Sequence, residues 1–184
     1  MVKIITLTGD LGSGKSTVSR LLCRRLGYDY IYTGEIQRRI AERYGMTTTE
    51  LNRYSETHPE IDREIDLTFV ALGESERLVV DSRLAWFFIP ASFKVFLRTD
   101  LEVSSMRISN DKGRTSESYA GPEEAALNIL ARKESENRRY MDLYGADCSE
   151  MANFDLVVDT SRITPEEAAD AIIDAYLRRE ASGG

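Results

Sequence analysis

The feature that most constrains the chain is Gly9-Asp10-Leu11-Gly12-Ser13-Gly14-Lys15-Ser16, a GxxxxGK(S/T) pattern that follows the apolar run Val2 to Leu7. Such a pattern needs a buried strand, a bare turn and a helix in succession. Consecutive backbone N–H groups have to converge on phosphate oxygens, and side chains would block that approach. Gly9, Gly12 and Gly14 keep the backbone bare and permit positive φ. Lys15 is placed to reach terminal phosphates and the Ser16 hydroxyl to ligate Mg²⁺, while Asp10, Leu11, Ser13 and Thr17 complete the cradle.

Hydrophobic periods alternate along the rest of the chain. Strands are expected at Lys3–Thr8, Tyr28–Tyr32, Arg77–Asp81, Phe93–Leu97 and Phe154–Val158. Between them fall helical patterns at Lys15–Leu26, Thr33–Tyr44, Thr47–Tyr54, Glu60–Leu72, Leu101–Ser109, Pro122–Tyr144 and Thr164–Arg179. This alternation implies a parallel sheet covered on both faces, with ligands at the carboxyl ends of the strands. The phosphate loop, Thr33-Gly34, Asp81 to Arg83 and Asp100 all fall at such ends. Asn110–Gly121 is polar and reads as a surface excursion.

Composition narrows the classes. At 184 residues a single domain is expected, and a net charge of −7 argues against a broad nucleic-acid-binding face. Cys23 and Cys148 form no CxxC pair, and His58 is the one histidine, so a zinc centre or a histidine-based triad has little to draw on. The longest apolar stretch, Leu84–Leu97, is interrupted by Pro90, Ser92 and Lys94 and is too short for a membrane span. The first apolar run begins at once, with no room for a signal peptide. A reduced, cytoplasmic, membrane-free protein is expected.

Phosphoryl transfer between two phosphate-bearing substrates needs positive charge around the transferring group more than it needs a base. Four segments offer it: Thr33-Gly34 with Arg38 one turn further on; Asp81-Ser82-Arg83; Arg107 with Lys112 and Arg114 in the polar excursion; and Arg132, Glu136 and Arg139, whose i, i+4, i+7 spacing places them on one helix face.

With these segments in view, the chain resembles the nucleoside monophosphate kinases, and most of all the archaeal-type cytidylate kinases. The resemblance runs over nearly the whole length. It is carried by the phosphate loop, Thr33-Gly34 with Arg38, Pro59 to Asp66, Arg83-Leu84-Ala85, Arg132 through Tyr140, and Tyr144-Gly145. It implies an α/β fold, the three-layer P-loop NTPase type with a central five-stranded parallel sheet. Residues 1–184 would form one kinase domain, with a helical NMP-binding insertion at about 33–72 and a small lid at about 107–122.

The implied activity is transfer of the γ-phosphoryl group of ATP to CMP or dCMP with Mg²⁺, in a monomer whose partners are nucleotides only. By the same resemblance Lys15, Arg107, Arg132 and Arg139 would act on the transferring group. Thr33, Gly34, Arg38 and Arg83 would hold the acceptor, and Asp81 would steady the metal through water. Asp62 and Asp66 are the candidates for accepting the cytosine amino group. Ser82 departs from the family's glycine, and Trp86-Phe87-Phe88 is bulkier than usual; these aromatics read as core in preference to base stacking. A related kinase acting on AMP, UMP or a non-nucleotide acceptor, and a nucleotide-binding ATPase switch, remain as alternatives. GTPase switching is disfavoured because no NKxD motif is present.

Overall fold

The first apolar run forms strand β1 (Ile4–Gly9), buried at all six positions. In the computed structural model, which describes residues 3–55, 57–110 and 121–182, it is the middle strand of five. The others are β2 (Asp29–Tyr32), β3 (Leu78–Asp81), β4 (Phe93–Arg98) and β5 (Leu156–Asp159), all parallel in the order β2-β3-β1-β4-β5. Helices α1 (Lys15–Leu26), α2 (Thr33–Arg43), α3 (Thr48–Ser55), α4 (Pro59–Leu72), α5 (Ala85–Phe88), α6 (Leu101–Asn110), α7 (Pro122–Tyr144) and α8 (Pro165–Ser182) connect and cover them. The expected elements are all present, with ends shifted by a few residues at most. α5 is additional, formed by the aromatic run after Arg83.

Alternation along the strands separates two cores. On one face Ile5, Leu7, Val79, Val95 and Leu97 pack against Val18, Leu21 and Leu22 of α1 and Ile172 and Tyr176 of α8. On the other, Ile4, Leu78 and Val80 meet Ile36, Ile40, Leu51, Ile61 and Phe69 from the three helices between β2 and β3. Trp86, Phe96, Tyr140 and Phe154 extend that second face, so Trp86 is core, as the sequence suggested.

The buried threonines of β1 are satisfied. Thr6 Oγ1 lies 3.0 Å from Ser92 Oγ, and Thr8 Oγ1 donates to the Arg83 carbonyl at 3.4 Å. Capping boxes start α3 and α8: Thr47 and Glu50, and Thr164 and Glu167, bond each other's backbone N–H groups. Gly27 and Gly145 close α1 and α7 in the left-handed conformation.

Register decides what shares the upper edge. Leu7 pairs with Asp81, Tyr32 with Asp81, and Gly9 with Leu97. The turns after β1, β2, β3 and β4 therefore open side by side, with the chain branching left and right from β1. A crevice at the strand ends results. Of the expected lid, residues 111–120 lie outside the described residues, and with them Lys112 and Arg114.

Ile172 is fully buried between α8 and the sheet. Ile172→Ala should lower the unfolding free energy by about 2–5 kcal/mol. Urea unfolding checks it, with nucleotide affinity unchanged below the transition.

Candidate active site

The loop begins inside the sheet. Gly9 has φ 148°, and a Cβ there would lie 2.2 Å from the Leu97 carbonyl oxygen, so no other residue fits. Gly14, at φ 85°, is the N-cap of α1 in a backbone region that side chains disfavour. Thr160 Oγ1 holds the Ser13 carbonyl from outside at 3.1 Å, and Arg107 holds that of Gly12 at 3.3 Å. The N–H across the Ser13–Gly14 peptide thus points away from Thr160, on the side where Gly14 lines the cavity.

Leu11, Gly12, Gly14, Lys15, Ser16 and Thr17 line a cavity of about 470 Å³. Of the other predicted loop residues, Gly9 and Ser13 are buried in support of it. Asp10 turns its carboxylate outward, accepting from the Thr99 N–H at 3.1 Å and pairing with Lys133 at 2.8 Å. Lys15 Nζ donates to the carbonyls of Gly9 (3.1 Å) and Asp10 (3.0 Å). Burial, and then the Arg83 guanidinium, push its pKa down to about 7.

Across the cavity Asp81 Oδ2 accepts from Ser16 Oγ and from Tyr30 OH, each at 3.2 Å. A hydroxyl and a carboxylate side by side at the loop's end are the hard oxygen donors a magnesium ion prefers. Among the described residues no group of three or more His, Cys, Asp or Glu could hold a metal. An ion here would share its remaining positions with phosphate and water.

A second cavity of about 400 Å³ adjoins the first. Thr33, Gly34, Ser82, Arg83 and Arg132 line both. Arg83 Nη1 donates to the Gly9 carbonyl, and its Nε lies 3.1 Å from Glu136, which also takes Arg132 Nε at 2.8 Å. The i, i+4 pair Arg132–Glu136 thus exists, but on the face turned into the site. Arg139, Asp62 and Asp66 line the second cavity, and Arg107 lines the first. Arg38 lines neither. It sits at the rim, its guanidinium donating to Tyr32 OH at 3.1 Å. Ser82, where a glycine was expected, accepts the Leu84 N–H on Oγ at 3.3 Å and so caps the turn into α5.

Asp66 accepts a hydrogen bond of 2.7 Å from Tyr144 OH. Burial raises its pKa, Tyr144 opposes that, and Asp62 adds to it. The candidate set had left out Gln37, Tyr140 and Tyr144, which also line this cavity. Their signal was present as spacing: Gln37 follows Thr33 by one helical turn, and Tyr140 and Tyr144 continue the face of Glu136.

A phosphate loop on the central strand of a parallel sheet, sharing an arginine wall with a second cavity, defines a kinase of the P-loop class. The shikimate kinase of Acinetobacter baumannii, solved with shikimate, has this fold, with a TM-score of 0.66 and 19% identity over 97% of this chain and 95% of that one. The sequence profile of the Cytidylate kinase-like family matches residues 4–162, and the chain belongs to that family. The cytidylate kinase of Pyrococcus furiosus is 35% identical over 95% of this chain and 88% of its own length. That of Thermoplasma volcanium is 37% identical over 96% and 94%. No helix among the described residues is long and apolar enough to cross a membrane.

Lys15 gives the site a pH dependence. A triphosphate bound against it would restore its proton, so binding would take up a proton wherever the free lysine is neutral. Affinity for a nucleoside triphosphate should be level below about pH 7 and weaken above it, by roughly tenfold per pH unit at the limit. Calorimetry from pH 6 to 9 in buffers of different ionisation enthalpy checks both the slope and the proton uptake. In Lys15→Met the slope should vanish with most of the affinity.

Proposed function

We propose that this chain transfers the γ-phosphoryl group of ATP to CMP or dCMP, giving ADP and CDP or dCDP. The observation that carries the reading is the shared wall: Arg83 and Arg132 line the loop cavity and the second cavity alike. Triphosphate in the first and monophosphate in the second would meet there. The acceptor's phosphate oxygen attacks the γ-phosphorus in line as the bond to the β-phosphate oxygen breaks. No side chain has to take a proton from a phosphate that is already ionised at pH 7.

The residues supply position and charge. Lys15 and the loop N–H groups hold the donor phosphates, Ser16 and Asp81 would hold Mg²⁺, and Mg²⁺ would neutralise charge on the donor oxygens. Arg83 and Thr33-Gly34, at the first turn of α2, take the acceptor phosphate, with Arg38 joining from the rim. Arg132, Arg139 and Arg107 spread the developing charge over three cations, and Glu136 keeps Arg132 and the neighbouring Arg83 in place beforehand.

Residues 33–72, helices α2 to α4, then act as the acceptor-binding insertion, and 107–122 as the lid that excludes water. On the insertion Asp62 and Asp66 accept the cytosine amino group. Tyr144 fixes the orientation of the Asp66 carboxylate.

A coupled assay with CMP, dCMP, UMP, AMP and GMP in parallel should show ADP release stimulated at least tenfold by CMP or dCMP. Equal ATP consumption with and without any acceptor would defeat the kinase reading, and stimulation by AMP alone would move the substrate. Arg83→Ala should lose about 10²–10³-fold in kcat/KM for the acceptor while ATP affinity stays within about threefold, the size of effect seen when a charged donor to a transferring group is removed. Unchanged acceptor kinetics would take Arg83 out of the site.

A further inference from the structure

Asp10 stands inside the loop sequence, yet it lines neither large cavity. Its carboxylate is 12% exposed and fully engaged, with Oδ2 on the Thr99 N–H at 3.1 Å and Oδ1 on Lys133 Nζ at 2.8 Å. Lys133 is the neighbour of Arg132 on α7 and lies one turn before Glu136. The preceding residue, Gly9, is tied to the same helix by a different route: its carbonyl accepts from Arg83, which pairs with Glu136. Two successive loop residues are thus fastened to successive turns of the helix that carries Arg132 and Arg139. Between the two ties only about 20 Å³ is left, bounded by Asp10, Arg83, Lys133 and Glu136, too little for a substrate.

We infer that Asp10 and Lys133 are positioning residues, an ionic couple that seats the arginine helix on the donor loop. This rests on the kinase reading above and adds to it how the arginines of one element are held in line with phosphates bound by another. An exposed ion pair contributes little by itself. This one is largely screened from solvent on the carboxylate side and acts on placement, where a shift near 1 Å can cost about 10²-fold in rate.

The couple is tested in the full chain. Asp10→Asn keeps an acceptor for Thr99 and removes the charge. Lys133→Met keeps the stem, and Lys133→Arg keeps the cation. The first two should lower kcat for CMP phosphorylation by about tenfold and leave MgATP affinity within about threefold. The double variant should be no slower than the slower single, and Lys133→Arg should retain most of the rate. In Asp10→Asn the amides of α7 around residues 130–137 should exchange faster, with those of α8 unchanged. ATP affinity falling in step with the rate would make Asp10 a binding group and overturn the proposal, as would unchanged kcat, multiplicative losses in the double variant, or unaltered exchange in α7. Should the unaltered protein fail to phosphorylate CMP, the kinase reading falls, and the exchange result alone decides for or against the couple.

Discussion

The upper edge of the sheet depends on one close approach, that of Gly9 to β4. The strand ends with its backbone against the Leu97 carbonyl, where a methyl group would overlap, and the next N–H, that of Asp10, donates to the same oxygen at 2.9 Å. The loop is therefore still hydrogen-bonded to the sheet as it begins to turn. Its orientation is inherited from the core and is not a property of a free surface segment. Three cations of the site are then placed relative to that fixed origin: Arg83 on the Gly9 carbonyl, Arg107 on that of Gly12, Lys15 on those of Gly9 and Asp10.

A chain with net charge −7 concentrates Lys15, Arg83, Arg107, Arg132 and Arg139 around two adjoining cavities. Left alone these groups would repel, and after burial the Arg83 guanidinium is the next cause of the lowered pKa of Lys15. Asp81 and Glu136 offset the repulsion from the cavity walls, and Asp10 from behind them. Phosphate groups of bound nucleotides would complete the balance from the front. Preorganisation of this type lets the protein meet developing charge without rearranging its own dipoles.

The layout of strands and helices was legible because both signals were strong: short apolar strands alternating with helical periods, and helices opened by the Thr47 and Thr164 capping boxes. The phosphate loop, Arg83 and the Arg132–Arg139 face were legible because each needs a particular residue type at a fixed spacing. What sequence did not reveal was direction. Asp10 has the right position in the motif to face a nucleotide, and only the packing of α7 shows that it faces Lys133. Arg38 has the right spacing from Thr33, but Tyr32 holds it at the rim. Tyr144 lies 78 residues from the Asp66 it bonds, a pairing across α4 and α7 that no local pattern encodes. The short helix α5 was missed because its aromatic run looks like core in any conformation; Trp86 is core and Phe88 partly so, but the helical turn leaves Phe87 exposed.

Trp86 is the chain's single tryptophan. Its indole N–H donates at 3.0 Å to the carbonyl of Arg83, the residue that walls both cavities, and the ring packs in the core against Phe154. Indole emission is sensitive to just this kind of hydrogen bond. The protein therefore carries a built-in optical reporter on the peptide behind the arginine that walls both cavities, and a ligand drawing on that arginine would register there without labelling or altering the chain.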